Sequence, residues 1–555
     1  MKKSHLIPCV IVALCPAVFA QQFPNAGSQM QQIPPTPQAP VVMPRIDVQP
    51  AGTPANASAD SAAITVNRLR ITGAQAYSEA QLLTLTCFQS GSLLTLTDLR
   101  RMAGAIADQY HRNGYFVAQA YLPAQDIQDG VVSIAVIEGR YGQVVLRNQS
   151  NVSNGLAQDL LGGINSGDPV LSAPLESRLL LLSDLPGVKV SSTLVPGSAT
   201  GTSDLLVDLN QGPRVNGSID ADNAGNRYTG ANRIGATVYL NEPAGMGDVA
   251  SLRVLTSGSG LNYVRGAYQL QFGKAKVGVA YSALRYALGQ EFESLGAHGT
   301  EEIASVFGSY PLVRSRNENT YVGLAFDAKT FQDKVDATAS VSDKKAQVAM
   351  ASLYGDQRDN FGGGGVTAYG LTWSSGNIDL QTPAMQSVDA LTAHSNGHFD
   401  KLAFNLSRLQ RVTDTVSLYG AINGQHASKN LDSSEKMELG GMYAVRAYPE
   451  GEAYADSGYV VNLEARMQMP GFTQQMPGQL ELIGFIDAGA VLLNKTPWSN
   501  GDNHRSLRGA GLGFNWSQSN NFMVRAYYAF KVGDEVATSA PDASGRFWIQ
   551  AVKYF

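Results

Sequence analysis

From Pro213 to Phe555 the chain repeats one pattern: segments of about ten residues in which apolar and polar positions alternate, separated by turn residues. In Val460–Met469, Val461, Leu463, Ala465, Met467 and Met469 share one face, and Asn462, Glu464, Arg466 and Gln468 the other. In Phe522–Lys531 the even positions are apolar and Arg525, Tyr527 and Lys531 lie opposite. A period of two belongs to strands with different surroundings on their two faces. A sandwich alternates as well, but about 340 residues at roughly 20 per strand and connection suit about 16 strands closed into a membrane barrel. The segments start near residues 214, 230, 248, 261, 275, 301, 317, 345, 364, 398, 414, 457, 478, 505, 521 and 545. Short connections (Asn241 to Asp248, Phe272 to Lys276, Arg411 to Thr415, Ser517 to Asn521) alternate with longer ones (286–300, 377–396, 430–456), as periplasmic turns and extracellular loops do.

Ahead of this region the period changes. Between Ile64 and Glu138 the order reads β-α-α-β-β. Leu99, Met102, Ala103, Ile106, Ala107 and Tyr110 recur at helical spacing, with Thr97 placed to cap the helix and Asn113-Gly114 to end it. Strands at Tyr115–Tyr121 and Val131–Ile137 flank a Gln128-Asp129-Gly130 turn. The same order returns between Tyr141 and Asn210, with helices at Gly155–Leu161 and after Ser172, the latter stopping at Pro186-Gly187. Two such units form an internal repeat.

The N-terminus sets the compartment. Lys2 and Lys3, the apolar run Leu6–Leu14 and Val18-Phe19-Ala20 have the layout of a secretory signal, residues 1–20. Residues 21–60, rich in Pro and Gln, predict a disordered tether that is a poor place for a long helix. The predicted layout is completed by repeat units at 61–139 and 140–211 and a barrel at 212–555 with an inward-folded loop at 430–456.

Composition narrows the class. The chain has 57 Gly, 23 Tyr and 16% charged residues, and no apolar run beyond the signal reaches the roughly 18 residues of a spanning helix. A net charge of -5 gives no reason to expect a nucleic-acid partner. Of three Cys, Cys9 and Cys15 lie in the signal, so the mature chain has no internal disulfide; Cys87 reads as a small core residue on a helix.

Two residues stand out against the barrel pattern: Arg446 on a Gly-flanked loop and Asp487 within an apolar strand. Each is unfavourable inside a barrel alone and tolerable if they meet, because a buried charge needs a partner. The plain alternative is that Arg446 and Glu450 are solvated loop charges.

These residues resemble the two-partner secretion transporter family, TpsB, a branch of the superfamily that includes outer-membrane insertases. Tyr115–Gly139 is similar to the end of that family's first polypeptide-transport-associated (POTRA) unit, and Leu179–Val188 to the second unit's helix and exit. Val445-Arg446-Ala447-Tyr448 resembles the Val-Arg-Gly-Tyr motif of the sixth extracellular loop, with Ala447 in place of Gly. Phe485-Ile486-Asp487 matches the motif of barrel strand 13, and the terminal Phe555 resembles a barrel assembly signal, although Lys553 is not the favoured aromatic. The resemblance implies two α+β POTRA units before a barrel of about 16 antiparallel strands in the outer membrane of a Gram-negative cell. It implies a loop-barrel lock between Arg446 and Asp487, a loop motif of Val445, Ala447 and Tyr448, a strand motif of Phe485 and Asp487, and a lumen network completed by Glu464 and Arg466.

The function so implied is export, without ATP, of a large unfolded exoprotein (an adhesin, haemolysin or contact-dependent toxin) recognised through its N-terminal secretion domain. Outer-membrane lipid and, during biogenesis, the barrel assembly machinery are the other partners. An insertase for other barrels is the alternative, to which a POTRA count of two is less suited; for a diffusion porin the repeats would have no purpose. No nucleophile elbow, P-loop or zinc-protease motif is present, so neither an enzyme nor a cofactor is expected. His394 and His398 have metal-like spacing but fall in a predicted loop, and Gly362–Gly365 reads as a periplasmic turn.

Overall fold

The computed structural model describes residues 24–37, 46–48, 63–474 and 476–555. The signal and most of the 21–60 segment lie outside them. Sixteen antiparallel strands close into a barrel, from Val215–Asp222 (first) to Gly545–Tyr554 (sixteenth). Every predicted segment corresponds to one strand, because alternation is a local property of the chain. The first and sixteenth strands pair from Ser218↔Tyr554 to Asp222↔Gln550. Phe555 extends that seam: its N–H donates to Gly217 O at 3.1 Å and its carbonyl accepts from Gly217 N at 3.0 Å. Leu463, Ile486, Leu512 and Phe547 project outward as the apolar surface that lipid covers. The eighth strand, Ser340–Asp359, has 20 residues. At about 3.4 Å per residue it far exceeds the apolar band of a membrane, so its hairpin stands above the surface.

Both β-α-α-β-β units form ahead of the barrel. In the first, α2 (Glu79–Thr86) and α3 (Leu96–Arg112) pack on Arg68–Thr72, Val131–Ile137 and Gln119–Tyr121. The buried face of α3 is Leu99, Met102, Ala103, Ile106 and Tyr110. Its cap is Thr95, not Thr97: Thr95 Oγ1 accepts from Asp98 N and the Asp98 carboxylate accepts from Thr95 N. Asn67 breaks the expected Ile64–Thr72 strand in two, since its N–H turns to Gly130 O. Cys87 is exposed rather than core, held left-handed at φ 53 where α2 ends.

The second unit places α4 (Asn154–Leu161) and α5 (Ser172–Ser183) on a sheet of Arg140–Gln149, Thr202–Gln211 and Val188–Pro196. Ile46–Val48 adds to its edge, parallel to Ser192–Leu194.

A further departure lies inside the barrel. Residues 26–31, expected to be unstructured, form the short helix α1 (Ala26–Gln31) with Asn25 as its cap. It packs among Tyr228, Leu284, Phe331, Phe399 and Leu431 in the lumen. One and a half turns are unstable alone, so tertiary contacts make this helix.

Candidate functional site: the loop folded into the lumen

The connection between the eleventh strand (Val416–Ala427) and the twelfth (Ser457–Gln468) folds back into the barrel. Leu439, Met442, Val445, Ala447 and Tyr448 pack against Val460, Phe485, Leu507 and Trp548 on the wall, so burial of apolar side chains drives the fold-back. At its tip Tyr448 N donates to Val445 O at 3.1 Å, and this turn aims Arg446 at the wall.

Arg446 is 4% exposed. Its Nε and Nη2 donate to the two oxygens of Asp487, on the thirteenth strand (Gln479–Leu492), at 2.9 and 2.7 Å. Its backbone N–H adds a third bond to Asp487 at 3.1 Å, and Nη1 donates to Glu464 Oε1 at 2.8 Å. Glu464 in turn accepts from Arg466 Nε at 2.8 Å, and Asn462 Nδ2 donates to Asp487 Oδ1 at 2.7 Å. Two guanidinium groups therefore meet two carboxylates, and the cluster is neutral where Arg446, Asp487 and Glu464 are buried and neither sign would be tolerated alone. The Arg446 guanidinium lies 3.6 Å from the Phe485 ring centre, which explains an aromatic two residues before Asp487 on the same strand face. Arg446 O accepts from Trp548 Nε1 at 2.6 Å, tying the tip to the last strand.

Ala447 sits at negative φ, so the replacement of the motif's Gly leaves no backbone strain here. Its methyl packs on Gly509 of the fourteenth strand (His504–Gln518): a Cβ at 509 would lie 2.5 Å from that of Ala447.

Several anchors were not singled out from the sequence. Glu452, fully buried, accepts from Thr538 N at 2.9 Å and from Ser539 N and Oγ at 2.9 Å, and pairs with Arg505 Nη2 at 3.1 Å. Trp548 was legible as the inward-facing large residue between outward Phe547 and Ile549; Glu452 had no signal beyond sharing the loop. Among the described residues no group of His, Cys, Asp and Glu is arranged to hold a metal ion, and His394 lies in the connection after the ninth strand.

Glu450 is buried too, not a solvated loop charge. Burial pushes its carboxyl up, against the downward pull of the Arg233 charge and a backbone bond at Met442, and the neighbouring Glu438 carboxyl is raised with it, by burial and by the Glu450 charge. Carboxyls raised on docking favour the docked loop fully below the ordinary carboxylate range, and the advantage is lost as pH rises through their raised, shared titration. The expected result is ion conductance in planar bilayers that increases from pH 5.5 to 8.5, with Glu450→Gln flattening the profile. An unaltered slope in that variant would assign the titration elsewhere.

Residues 201–516 match the family described as haemolysin secretion/activation protein ShlB/FhaC/HecB, and residues 64–139 match the ShlB-type POTRA domain. The chain belongs to the ShlB/FhaC/HecB family. It is similar to the heme/hemopexin transporter protein HuxB of Haemophilus influenzae (strain 86-028NP), 28% identical over 472 residues, 84% of this chain and 82% of that protein. The outer membrane transporter CdiB of Dickeya dadantii (strain 3937) is 23% identical over 419 residues, 72% of this chain and 71% of that protein. The solved structure of CdiB from Escherichia coli shares the fold, with a TM-score of 0.65 at 19% identity, covering 91% of this chain and 93% of that one. This ShlB-type protein is thus a two-partner secretion transporter of the outer membrane with POTRA structure on its periplasmic side, and the insertase alternative gives way.

Proposed function

We propose that this pore carries one extended exoprotein, engaged through its N-terminal secretion domain by the POTRA units, out to the cell surface without ATP and without catalytic chemistry of its own. The names of the relatives, a heme/hemopexin transporter protein and outer membrane transporters, support a transport cargo. The observation that carries the reading is the packed lumen: a barrel of this width has room for a polypeptide, and the material filling it is a short helix and a loop held by polar contacts rather than a fused core. In this reading Arg446 and Asp487 are the lock, Glu464 and Arg466 complete it, Val445, Ala447 and Tyr448 seat the tip, Phe485 supports the guanidinium, and Phe555 is the assembly signal. The lock holds the closed state and yields when the client enters. Open sheet edges let a client add as a strand, since backbone bonds hold many sequences alike. Folding outside then gives direction.

The layout proposed with it is a signal at 1–20, POTRA units within 61–139 and 140–211 and the pore at 212–555, supported by the POTRA match ending at 139 and a first strand beginning at Val215. The test is appearance in the medium of large exoproteins made by the same cell, with and without this chain. Release only in its presence is expected. Periplasmic retention in both, with general barrel assembly failing when the chain is missing, would overturn the reading.

A further inference from the structure

The stretch Leu179–Val188 does not end in solvent. It meets the barrel. Asp184, at the C-terminal cap of α5, takes both Nε and Nη2 of Arg314 on its two carboxylate oxygens, each at 2.7 Å. Arg314 is the last residue of the sixth strand (Ala297–Arg314), and its Nη1 donates to Asn319 Oδ1 at 2.8 Å, which fixes the guanidinium plane. The Asp184 carbonyl accepts from Lys276 Nζ at 3.2 Å, and Glu176 of α5 lies 3.2 Å from Arg316. On the neighbouring turn 242–248, Gly245 O accepts from Ser153 N at 2.9 Å. There Gly247 leaves just enough room for Leu156 and Leu185, each 3.0 Å from where its Cβ would be. Three neighbouring periplasmic turns thus grip one end of the second unit. The central pair is planar, bidentate and largely shielded, its side chains 19% and 12% exposed.

We infer that Asp184–Arg314 is a positioning pair that holds the second POTRA unit at a fixed attitude to the pore mouth, so that a client strand bound below is delivered at the barrel entrance. This rests on the exporter reading for its consequence, though not for its geometry. An exposed ion pair contributes little to orientation, whereas a shielded bidentate one with backbone and apolar contacts around it resists rotation in more than one direction.

The test uses the full chain in nanodiscs, with Cys87→Ser, and spin labels at Ser198→Cys on the second unit and Ser519→Cys on a periplasmic turn, both exposed positions. Inter-label distances are read for wild type, Asp184→Asn, Arg314→Gln and the double variant. Client binding is probed with the exoprotein's N-terminal domain, and release is measured in cells at equal surface level. Each single variant is expected to broaden the distance distribution and to cut release at least about tenfold, with client affinity unchanged within about twofold. The double variant is no worse than the worse single, as for two halves of one interaction. Arg147→Gln, which removes the exposed 3.9 Å pair with Asp208 within the same unit, leaves distances and release as in wild type. A narrow distribution in both single variants overturns the proposal, as does a loss of client affinity matching the loss of release, which would make Asp184 a client contact. If the wild-type chain releases no exoprotein, the exporter reading fails, and the distance measurement still decides the joint.

Discussion

Arg446→Ala leaves the barrel assembled and at the cell surface and reduces exoprotein release at least about tenfold. The barrel survives because its strands are held by backbone ladders that Arg446 does not enter. What changes is the wall. Asp487, 0% exposed, keeps only Asn462 among its side-chain partners, and Glu464 keeps Arg466. Stranding a buried carboxylate in this way costs on the order of 3–5 kcal/mol, enough to shift a docked loop to a mostly undocked one. The tip then leaves the wall while the loop's base remains tied through Glu452 to Thr538, Ser539 and Arg505. Arg446→Lys is expected to fall between, since one ammonium cannot serve both Asp487 oxygens and Glu464 together. The measurement is exoprotein in the medium divided by transporter at the surface. Release at the wild-type ratio in the Ala variant would remove the loop tip from the transport cycle.

Deleting residues 24–37 raises single-channel conductance severalfold without loss of the barrel. Helix α1 spans about 9 Å and packs in the lumen against Tyr228, Leu284, Phe331, Phe399 and Leu431. It is held by bonds to several elements: Ala26 N to Asp333 Oδ1 at 2.8 Å, Thr229 Oγ1 to Gln29 Oε1 at 2.7 Å, and Arg233 Nη1 to Gln32 O at 2.8 Å. Gln31 Nε2 donates to Ser433 O at 3.1 Å, so the helix also rests on the folded-in loop. A milder variant separates packing from deletion: in Gly27→Leu the added Cβ would lie 2.7 Å from that of Ser434, and the helix cannot seat. Both variants should conduct more than wild type in planar bilayers. Equal conductance in all three would mean that α1 does not obstruct the ion path.

The strands were legible because each announces itself within ten residues, and a barrel adds only closure to what alternation implies. Asp487 stood out for a related reason: a charge amid apolar residues of a strand breaks a local rule and asks for a partner. That its partner is Arg446, across forty residues of chain, rested on the need of each isolated charge for a partner and on resemblance to a loop motif, since no local property links the two. The cap at Thr95 in place of Thr97 is an error of two residues between similar side chains, decided by where Asp98 folds back.

Helix α1 was not legible at all. Its sequence, Ala-Gly-Ser-Gln-Met-Gln, has no apolar period, and it is helical because Asp333, Arg233 and the loop supply partners from positions two hundred to four hundred residues away. Glu452, in a polar loop, and Asp184, at the end of a leucine run, belong to the same class: charged residues whose partners lie on other elements. What this sequence determined by itself was the class of the barrel strands and of the long helices, and the face each strand turns to lipid, because hydrophobic periodicity is a property of neighbours in the chain. Which charges meet, what fills the lumen and how the second unit grips the barrel were decided only by tertiary structure, because burial and ion pairing depend on neighbours in space.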